Sequence, residues 1–533
     1  MIMKKIFRIS FVLLLCLTML MGTACRQNPS TDGSSMLSGD YNYDDDYNYD
    51  DDYDDDNDSS DDDQSDNSSD DTDDKKNNSN KNNSNKNNSN KNNSNKNNSN
   101  KNNNNKNENN NNNTTNDKEE YVPNLKGRTL TVVSFNEELK KGSSQKANYY
   151  WKHKEAVEKK YNCKIEHVFK SRTDIDEEII PSILAGQPAA DFFYVFGDRA
   201  YAMVRKNLLY PISDVKTIDL EDDVWNDLIH DVMTHDGKLY GLCPIDDPGV
   251  SVGLLYNKDY FKKNNIPDLN TLQRQGKLDW AKWREILNLA NTDEVSGFVG
   301  NMGWEFDVPT LVVANGGALV GRNSDYTFKN TSQSKNVLNA MSFYNDLIKV
   351  DKVNPSKSNH SGTFAGEYDF SDGNIAVIMC ESYRWPDIIA RSNFEIGLAL
   401  VPAGPDAPSN YKFVTQNGGG TLQSAVMPAN VKNPEDVAFV MAKFLSGGKV
   451  PWEEYYYDLF YDDDIMTVLE MGMKQFKDGI YITDYLLALG DTYEMGIHGP
   501  FGQWSRGELT AAQTVEALGS VIDSAADYYN KNS

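Results

Sequence analysis

Residues 237–261 read GKLYGLCPIDDPGVSVGLLYNKDYF, and this stretch decides the fold that the sequence predicts. The apolar runs Leu239 to Cys243 and Val250 to Asn257 are typical of two strands. The polar stretch Pro244 to Gly249 between them contains two prolines and two aspartates, which predicts a kink in the chain. A Lys-Asp pair after the second run begins a helix, so the stretch predicts strand, kink, strand and helix in that order.

The segment before this stretch, from Leu125 onward, alternates strands and helices. Apolar and β-branched runs predict the strands, and Asp174 with Glu177 three residues later predicts a helix cap. The predicted elements are a strand at 129–135, a helix at 149–161, a strand at 164–169, a helix at 174–186 and a strand at 191–196. Such alternation is typical of an α/β fold, in which ligands lie beyond the carboxyl ends of the strands. This reasoning places four side chains at one rim: Asn136, Glu137, Asp198 and Arg199.

The segment after residue 261 contains a second set of strands and helices. It includes a strongly periodic helix from Gln333 to Val350 and, before it, a loop that holds Trp304. A strand from Ile375 to Met379 is followed by the residues ESYRW, which brings aromatic side chains to a strand end. The Gly- and Pro-rich residues 403–420 precede a last predicted strand. That strand lies at 422–427, and helices are predicted at 434–445, 465–477 and 510–529, the last with a cap formed by Thr510 and Gln513.

The first 120 residues predict export and a tether rather than a folded domain. Residues 1–24 have a basic start, an apolar centre and small residues at the end, which is typical of a signal peptide. The sequence GTAC ending at Cys25 is similar to a bacterial lipobox, so we expect lipidation at Cys25, with plain secretion after Ala24 as the alternative. Residues 25–120 contain an Asp-rich tract and a Lys-Asn-Asn-Ser-Asn repeat. Such a composition cannot bury a core, so we expect a disordered tether.

Charge and residue content disfavour several classes of function. The formal net charge is −27, and the part after residue 120 is acidic on its own, which argues against nucleic acid or an anionic membrane surface as its partner. Only six histidines occur, and Cys163, Cys243 and Cys380 lack metal-ligand spacing, so we expect no metal and no cofactor. Ser251 lies in a G-x-S-x-G pattern, but a strand follows it instead of a helix, which argues against a hydrolase nucleophile.

The order of motifs along about residues 125–533 resembles the family 1 extracellular solute-binding proteins, the maltodextrin-binding-protein-like receptors of carbohydrate ABC importers. The motifs include GKLYGL, LYNKDYF, ANGG, VPAGPDAP and KNPEDVAFVMAKFL. The resemblance implies an α/β, type II periplasmic-binding-protein-like fold of two lobes joined by crossing hinge segments. Lobe 1 would comprise about 125–248 and 420–455, and lobe 2 about 249–419 and 456–533. The first crossing would lie within 237–261 and the second at 403–420.

The resemblance also implies which side chains contact the solute between the lobes. Family positions match Asp198 and Arg199 after the third strand, and Asn136 and Glu137 after the first. Further matches are Trp304 before ANGG, Tyr383 and Trp385 after IAVIM, Trp504 near the C-terminus, and, two residues from the family's acidic position, Asp246 and Asp247. Aromatic rings cover the apolar faces of sugars, while carboxylates, amides and guanidinium groups form hydrogen bonds with sugar hydroxyls.

The expected function is capture of a sugar or oligosaccharide by a monomeric protein that a lipid holds at the outer face of the bacterial cytoplasmic membrane. The protein would deliver the sugar to the permease subunits of an ABC importer, without covalent chemistry. Two alternatives stay open at this point. One is the same fold binding another solute, such as a peptide or a metal complex. The other is a surface glycoside hydrolase, because paired acids are abundant in the chain.

Overall fold

The computed structural model of the protein describes residues 121–245, 250–300, 304–355, 360, 364–415, 423–489 and 497–531. The predicted signal peptide, Cys25, the tether, Asp246 and Asp247 lie outside these residues. The described residues contain two larger sheets with their helices, which we call lobe 1 and lobe 2. No helix among them is long and apolar enough to cross a membrane.

The described part of the chain contains thirteen strands. In chain order they are β1 (Arg128–Ser134), β2 (Cys163–Phe169), β3 (Phe192–Phe196), β4 (Thr234–His235), β5 (Lys238–Leu239), β6 (Gly241–Leu242), β7 (Val252–Asn257), β8 (Val299–Gly300), β9 (Val320–Arg322), β10 (Phe328–Asn330), β11 (Val377–Glu381), β12 (Ile396–Ala399) and β13 (Gln423–Val426). Lobe 1 contains the sheet β2-β1-β3-β13-β6, and lobe 2 contains the sheet β12-β7-β11-β8. Strands β1, β2 and β3 are parallel, as the predicted alternation with helices requires.

Helices lie between most of these strands. In chain order the α-helices are α1 (Gln145–Tyr161), α2 (Arg172–Asp174), α3 (Ile180–Leu184), α4 (Gly197–Arg205), α5 (Asp227–Val232), α6 (Lys258–Lys263), α7 (Leu269–Arg274), α8 (Trp280–Ala290), α9 (Trp304–Ala314), α10 (Lys335–Asn345), α11 (Ala365–Ser371), α12 (Trp385–Arg391), α13 (Pro434–Leu445), α14 (Trp452–Phe460), α15 (Asp463–Lys477), α16 (His498–Arg506) and α17 (Ala511–Lys531). Single π turns occur at Ile175–Ile179 and Asp346–Val350, and 3-10 turns at Ile212–Asp214, Ser382–Arg384 and Leu486–Leu489.

Of the two predicted helix caps at Thr510 and Asp174, the first is confirmed and the second is wrong. The cap of α17 is confirmed, because Thr510 and Gln513 exchange hydrogen bonds: the Thr510 N–H donates to Oε1 of Gln513 and the Gln513 N–H donates to Oγ1 of Thr510. The cap at Asp174 is wrong. The helical run begins at Arg172, two residues earlier, and Ser171 precedes it. The Asp174 N–H donates to Oγ of Ser171, so Ser171 has the role expected of Asp174.

Three segments lead from one lobe to the other between elements that the structure describes. Residues 243–251 join β6 of lobe 1 to β7 of lobe 2, and residues 400–422 return the chain from β12 to β13. Residues 446–451 then lead from α13, which packs on α1 of lobe 1, to α14, which packs on α15 of lobe 2. All of α14 therefore belongs to lobe 2, and the third crossing lies a few residues before the expected boundary at 455.

The sheet of lobe 2 has apolar contacts on both faces. Val377 and Met379 of β11 belong to one buried cluster, and their neighbours Ile378 and Cys380 belong to another. This alternation follows from the two-residue period of a strand. A sheet buried on both faces explains why lobe 2 strands read as continuous apolar runs. The loop predicted around Trp304 is wrong, since Trp304 begins helix α9.

Candidate functional site

The strand ends of the two lobes are joined by the first crossing. Strands β3 and β6 both run antiparallel to β13, so they are parallel to each other and end at the same edge of lobe 1. In lobe 2, Val252 at the start of β7 pairs with Glu381 at the end of β11. Residues 243–251 therefore connect the carboxyl-end edge of lobe 1 to the carboxyl end of β11. We call these two edges the lobe 1 rim and the lobe 2 rim.

Asn136 follows β1 at the lobe 1 rim. Its N–H donates to Oγ of Ser134 at 3.1 Å, and Nε2 of His167 lies 2.7 Å from its carbonyl oxygen. Its side-chain Oδ1 is buried and has no hydrogen-bond partner among the described residues. A buried acceptor without a partner is costly, so this oxygen is suited to receive a hydroxyl of a bound solute. Glu137, the next residue, is exposed at the same rim.

Arg199 lies in the first turn of α4, which begins directly after β3. Its guanidinium pairs with Asp176 at 3.1 Å, and its Nε is buried without a hydrogen-bond partner among the described residues. The N-terminal end of a helix also carries partial positive charge. Arg199 therefore supplies hydrogen-bond donors at this rim. Asp198 precedes it in α4, but its side chain lies outside the described part of the structure.

Tyr383 lies at the lobe 2 rim, in the 3-10 turn that follows β11. Tyr383 is 36% exposed as a residue. The N–H of the preceding residue, Ser382, donates to the carbonyl oxygen of Ser251 in the first crossing at 3.0 Å. This bond holds the Tyr383 turn beside the segment that joins the two rims. An exposed ring at this place can stack on the apolar face of a sugar.

Arg384 supports the Tyr383 ring. Its guanidinium lies 5.8 Å from the Tyr383 ring centroid and 4.2 Å from that of Phe364. Glu367, which is fully buried, accepts two hydrogen bonds from Arg384, at 2.7 and 2.6 Å. Burial alone would lower the pKa of Arg384, but the hydrogen bonds and charge of Glu367 raise it above the ordinary value. Arg384 therefore stays charged and fixed.

Trp385 is placed differently from the expectation. Its side chain is 0% exposed and lies in the core of lobe 2, with the rings of Tyr456 and Phe460 about 6 Å away. A Cβ at Gly253 would be 2.8 Å from Cζ2 of Trp385, so the indole packs directly on the strand. The turn at Ser382–Arg384 leaves Tyr383 at the surface and directs Trp385 inward. In this structure Trp385 offers no ring face to a solute, and we do not assign it to the site.

Trp504 is also a buried residue. Its ring centroid lies 5.9 Å from that of Tyr344 and 6.5 Å from that of Phe501, in the contact between α10 and α16. Its exposed area is too small to cover a sugar ring, so we leave it out of the site as well. The side chain of Trp304 and the residues Asp246 and Asp247 lie outside the described part of the structure, so their expected roles stay predictions.

Sequence reasoning did not assign Asp307 to the site. Its carboxyl group is buried against Gly300, the last residue of β8, and Oδ1 has no hydrogen-bond partner among the described residues. Burial raises the pKa of Asp307 well above its ordinary value; a hydrogen bond with Tyr344 lowers it in part, and the charge of Glu381 raises it further. Burial therefore favours the protonated form of Asp307. The only sequence signal was an acid within the apolar run FDVPTLVV.

The remaining candidate chemistries have little support in the geometry. Among the described residues, no group of three His, Cys, Asp or Glu side chains could hold a metal ion. Cys163, Cys243 and Cys380 are free. Ser251 precedes strand β7 and its N–H donates to the carbonyl oxygen of Thr415 at 2.7 Å, so the G-x-S-x-G pattern lies at a strand and not at a strand-to-helix turn.

Two α/β lobes, three crossing segments, and polar and aromatic side chains at the joined rims define a two-lobed binding protein. Residues 152–450 match the family model described as bacterial extracellular solute-binding protein. This match spans more than half of the chain. The protein belongs to the bacterial extracellular solute-binding protein family, as the motifs of the sequence predicted. Comparison with curated proteins gives no significant sequence match.

Solved structures of the same fold cover about three quarters of the chain. UspC of M. tuberculosis is 16% identical, with 74% of this chain and 100% of that chain covered and a TM-score of 0.55. Lmo0181 from Listeria monocytogenes, in complex with cycloalternan, is 16% identical, with 75% and 98% covered and a TM-score of 0.52. A cyclo/maltodextrin-binding protein complexed with maltotetraose is 18% identical, with 74% and 96% covered and a TM-score of 0.52. At such identities the likeness confirms the two-lobed fold.

Proposed function

We propose that the protein captures a sugar or oligosaccharide between its lobes and delivers it unchanged to the permease subunits of an ABC importer. The observation that supports the proposal is the chain connection of residues 243–251, which links the edge of lobe 1 where β3 and β6 end to the end of β11, the strand that Tyr383 follows. Tyr383 would stack on a sugar ring. Asn136, Glu137 and Arg199 would form hydrogen bonds with its hydroxyls, with Asp198, Asp246, Asp247 and Trp304 as further candidates.

The chemistry of these groups favours a neutral, hydroxyl-rich solute. The unpartnered Oδ1 of Asn136 accepts a hydrogen bond, the buried Nε of Arg199 donates one, and a sugar hydroxyl can do both. Charge assistance strengthens the bonds to Arg199 and Glu137. The binding of cycloalternan and maltotetraose by two proteins of the same fold supports a carbohydrate as the first solute to test.

The N-terminal part of the sequence supports a place outside the cell. A signal peptide at 1–24, lipid on Cys25 and a tether to residue 120 would hold the binding protein at the outer face of the bacterial cytoplasmic membrane. Two or three acyl chains are enough for stable anchoring. Labelling of growing cells with a radioactive fatty acid tests this part: label in the protein, and none in the Cys25→Ser variant, is the expected result. Label in both would contradict lipidation at Cys25.

Titration of the purified protein against a sugar panel tests the function. The panel contains glucose, maltose, maltotetraose, cycloalternan and xylotetraose, with binding followed by calorimetry and the sugar then recovered and analysed by mass spectrometry. Saturable binding with unchanged sugar is the expected result. A hydrolysed sugar would instead favour the glycoside hydrolase. No detectable binding of any sugar in the panel would favour another solute, such as a peptide or a metal complex.

A further inference from the structure

A buried carboxylate lies behind the exposed ring at the lobe 2 rim. Glu367 of α11 is fully buried, and its two oxygens accept hydrogen bonds from Nε and Nη2 of Arg384. A second guanidinium, that of Arg391, donates to Oε2 of Glu367 at 3.0 Å. Arg384 is the residue directly after Tyr383. The carboxylate therefore fixes the side chain that packs beside the exposed ring.

The two arginines stack on different aromatic rings. The Arg384 guanidinium lies 4.2 Å from the ring centroid of Phe364 and 5.8 Å from that of Tyr383. Arg391 lies 4.5 Å from the ring centroid of Tyr368. A two-point bond between a guanidinium and a carboxylate sets the plane of the guanidinium as well as its position. Glu367 thus controls the orientation of a planar group that contacts the Tyr383 ring.

Stability alone is a weak explanation for this network. A buried ion pair often contributes no more to folding than apolar side chains of similar volume, because desolvation offsets the attraction. Here two guanidinium groups share the buried Glu367, Arg384 also pairs with the partly exposed Asp387 at 3.4 Å, and the network lies next to a strand end that faces the first crossing. A fixed ring binds a flat partner better than a mobile ring, since less conformational freedom is lost on binding.

We propose that Glu367 is a positioning residue that holds the Tyr383 ring, through Arg384, in the orientation that stacks on the solute. The expected effect on solute binding rests on the proposed function. The expected effect on the orientation of the Tyr383 ring does not. Glu367 and Arg384 have no contact with the solute themselves. Their role is to present one face of Tyr383 toward the gap between the rims.

Three variants separate positioning from simple stability. Arg384→Lys keeps the charge but loses the two-point bond and the planar contact, and Glu367→Gln removes the carboxylate. Arg391→Lys is the matched control, because it weakens the other bond to Glu367 without touching Tyr383. Each variant is studied by crystallography without sugar and by titration with maltotetraose and with the tightest-binding sugar of the panel. Thermal unfolding gives the loss of stability in each case.

In the ligand-free crystals we expect the Tyr383 ring to be displaced or split between conformers in Arg384→Lys and Glu367→Gln, and unchanged in Arg391→Lys. An unmoved ring in both variants would overturn the inference, and this arm needs no sugar to bind. In the titrations we expect Arg384→Lys to weaken binding by about tenfold and Arg391→Lys by less than about twofold.

A double-mutant cycle with Tyr383→Ala completes the test. If Arg384 acts through the ring, Arg384→Lys has no further effect on affinity once the ring is removed. Equal losses in both backgrounds would overturn the positioning role. Wild-type affinity in Tyr383→Ala itself would instead count against the proposed site, and in that case the crystal arm still decides where Glu367 places the ring.

Discussion

Arg322 of β9 forms an ion pair with Asp231 of α5. Nη1 of the same guanidinium lies 2.9 Å from the carbonyl oxygens of Asp231 and Thr234, near the C-terminal end of α5. The hydroxyl of Tyr485 donates to the other carboxylate oxygen of Asp231. A largely buried guanidinium on β9 is therefore held by a partly exposed carboxylate and two carbonyl oxygens of the α5 region.

Removal of this contact is expected to destabilise the protein. Arg322→Ala leaves the two carbonyl oxygens without this donor and Asp231 without its ion pair, so we expect the free energy of unfolding to fall by roughly 2–3 kcal/mol. Urea unfolding followed by circular dichroism measures it. Lys238→Ala is the control, because its ion pair with Asp214 is about half exposed and is worth less than about 1 kcal/mol. Equal losses in the two variants would contradict the role of Arg322.

The close approach of Gly397 to Tyr256 gives a second prediction. A Cβ at residue 397 would overlap the ring of Tyr256, which is buried and whose hydroxyl donates to Asp268 at 2.5 Å. Because the ring is held at both ends, we expect Gly397→Ala to cost roughly 2–3 kcal/mol in urea unfolding. A Cβ at Gly499 meets nothing within 4 Å, so Gly499→Ala should leave stability unchanged or slightly higher. The reverse order would refute the packing described for β12.

His230 is expected to make folding sensitive to acid. Burial lowers the pKa of His230 to about 4 from an ordinary value of 6.5, and its Nε2 has no hydrogen-bond partner among the described residues. Below pH 6.5 the unfolded chain gains a proton that the folded protein takes up only near pH 4. The contribution of His230 to the free energy of unfolding is thus fully present above pH 6.5. It is lost as the pH falls toward 4, by up to roughly 3 kcal/mol. Unfolding curves of wild type and His230→Gln between pH 7.5 and 4.5 measure the difference. Parallel curves would contradict the assignment.

Asp484 should show the opposite slope. Burial raises its pKa to about 6 from 3.8, although three backbone N–H groups, those of Leu319, Val320 and Leu486, lower it in part. Between these values the folded protein holds a proton that the unfolded chain has lost. This group therefore adds stability as the pH falls from 7 toward 4. In the same pH series, Asp484→Asn should remove this gain. If the difference between wild type and Asp484→Asn has the same sign as the difference between wild type and His230→Gln, the raised pKa of Asp484 is contradicted.

Substitution of Tyr383 should weaken sugar binding, whereas substitution of Trp385 should destabilise the fold. Tyr383→Ala removes an exposed ring, so we expect sugar affinity to fall at least about tenfold with little change in stability. Trp385→Ala removes a fully buried indole and leaves a cavity, so we expect a loss of roughly 3–5 kcal/mol in the free energy of unfolding. Calorimetric titration and urea unfolding of both variants test the pair. A stable Trp385→Ala protein with impaired binding would reverse our assignment.

Local features of the fold were predictable from the sequence. The second strand of residues 237–261, the parallel strands of lobe 1 and the Thr510 cap depend on residue choice within a few positions, and the structure confirms them. The single strand expected at 239–243 is wrong, because two short strands, β5 and β6, lie there in different sheets. The burial of the Trp385 side chain was not predictable from the sequence. Two aromatics separated by one residue after a strand look equivalent in sequence, and only the 3-10 turn at Ser382–Arg384 decides which of them faces inward. Sequence reasoning missed Asp307 because the burial of its carboxyl group depends on contact with Gly300, and only the fold creates that contact.

A crystal structure with the tightest-binding sugar of the panel tests the central claim most directly. The account predicts one sugar molecule between the rims, with a ring face on Tyr383 and hydroxyls hydrogen-bonded to Asn136 and Arg199. A sugar bound elsewhere on the protein, or between the lobes without contact to any of these three residues, would contradict it.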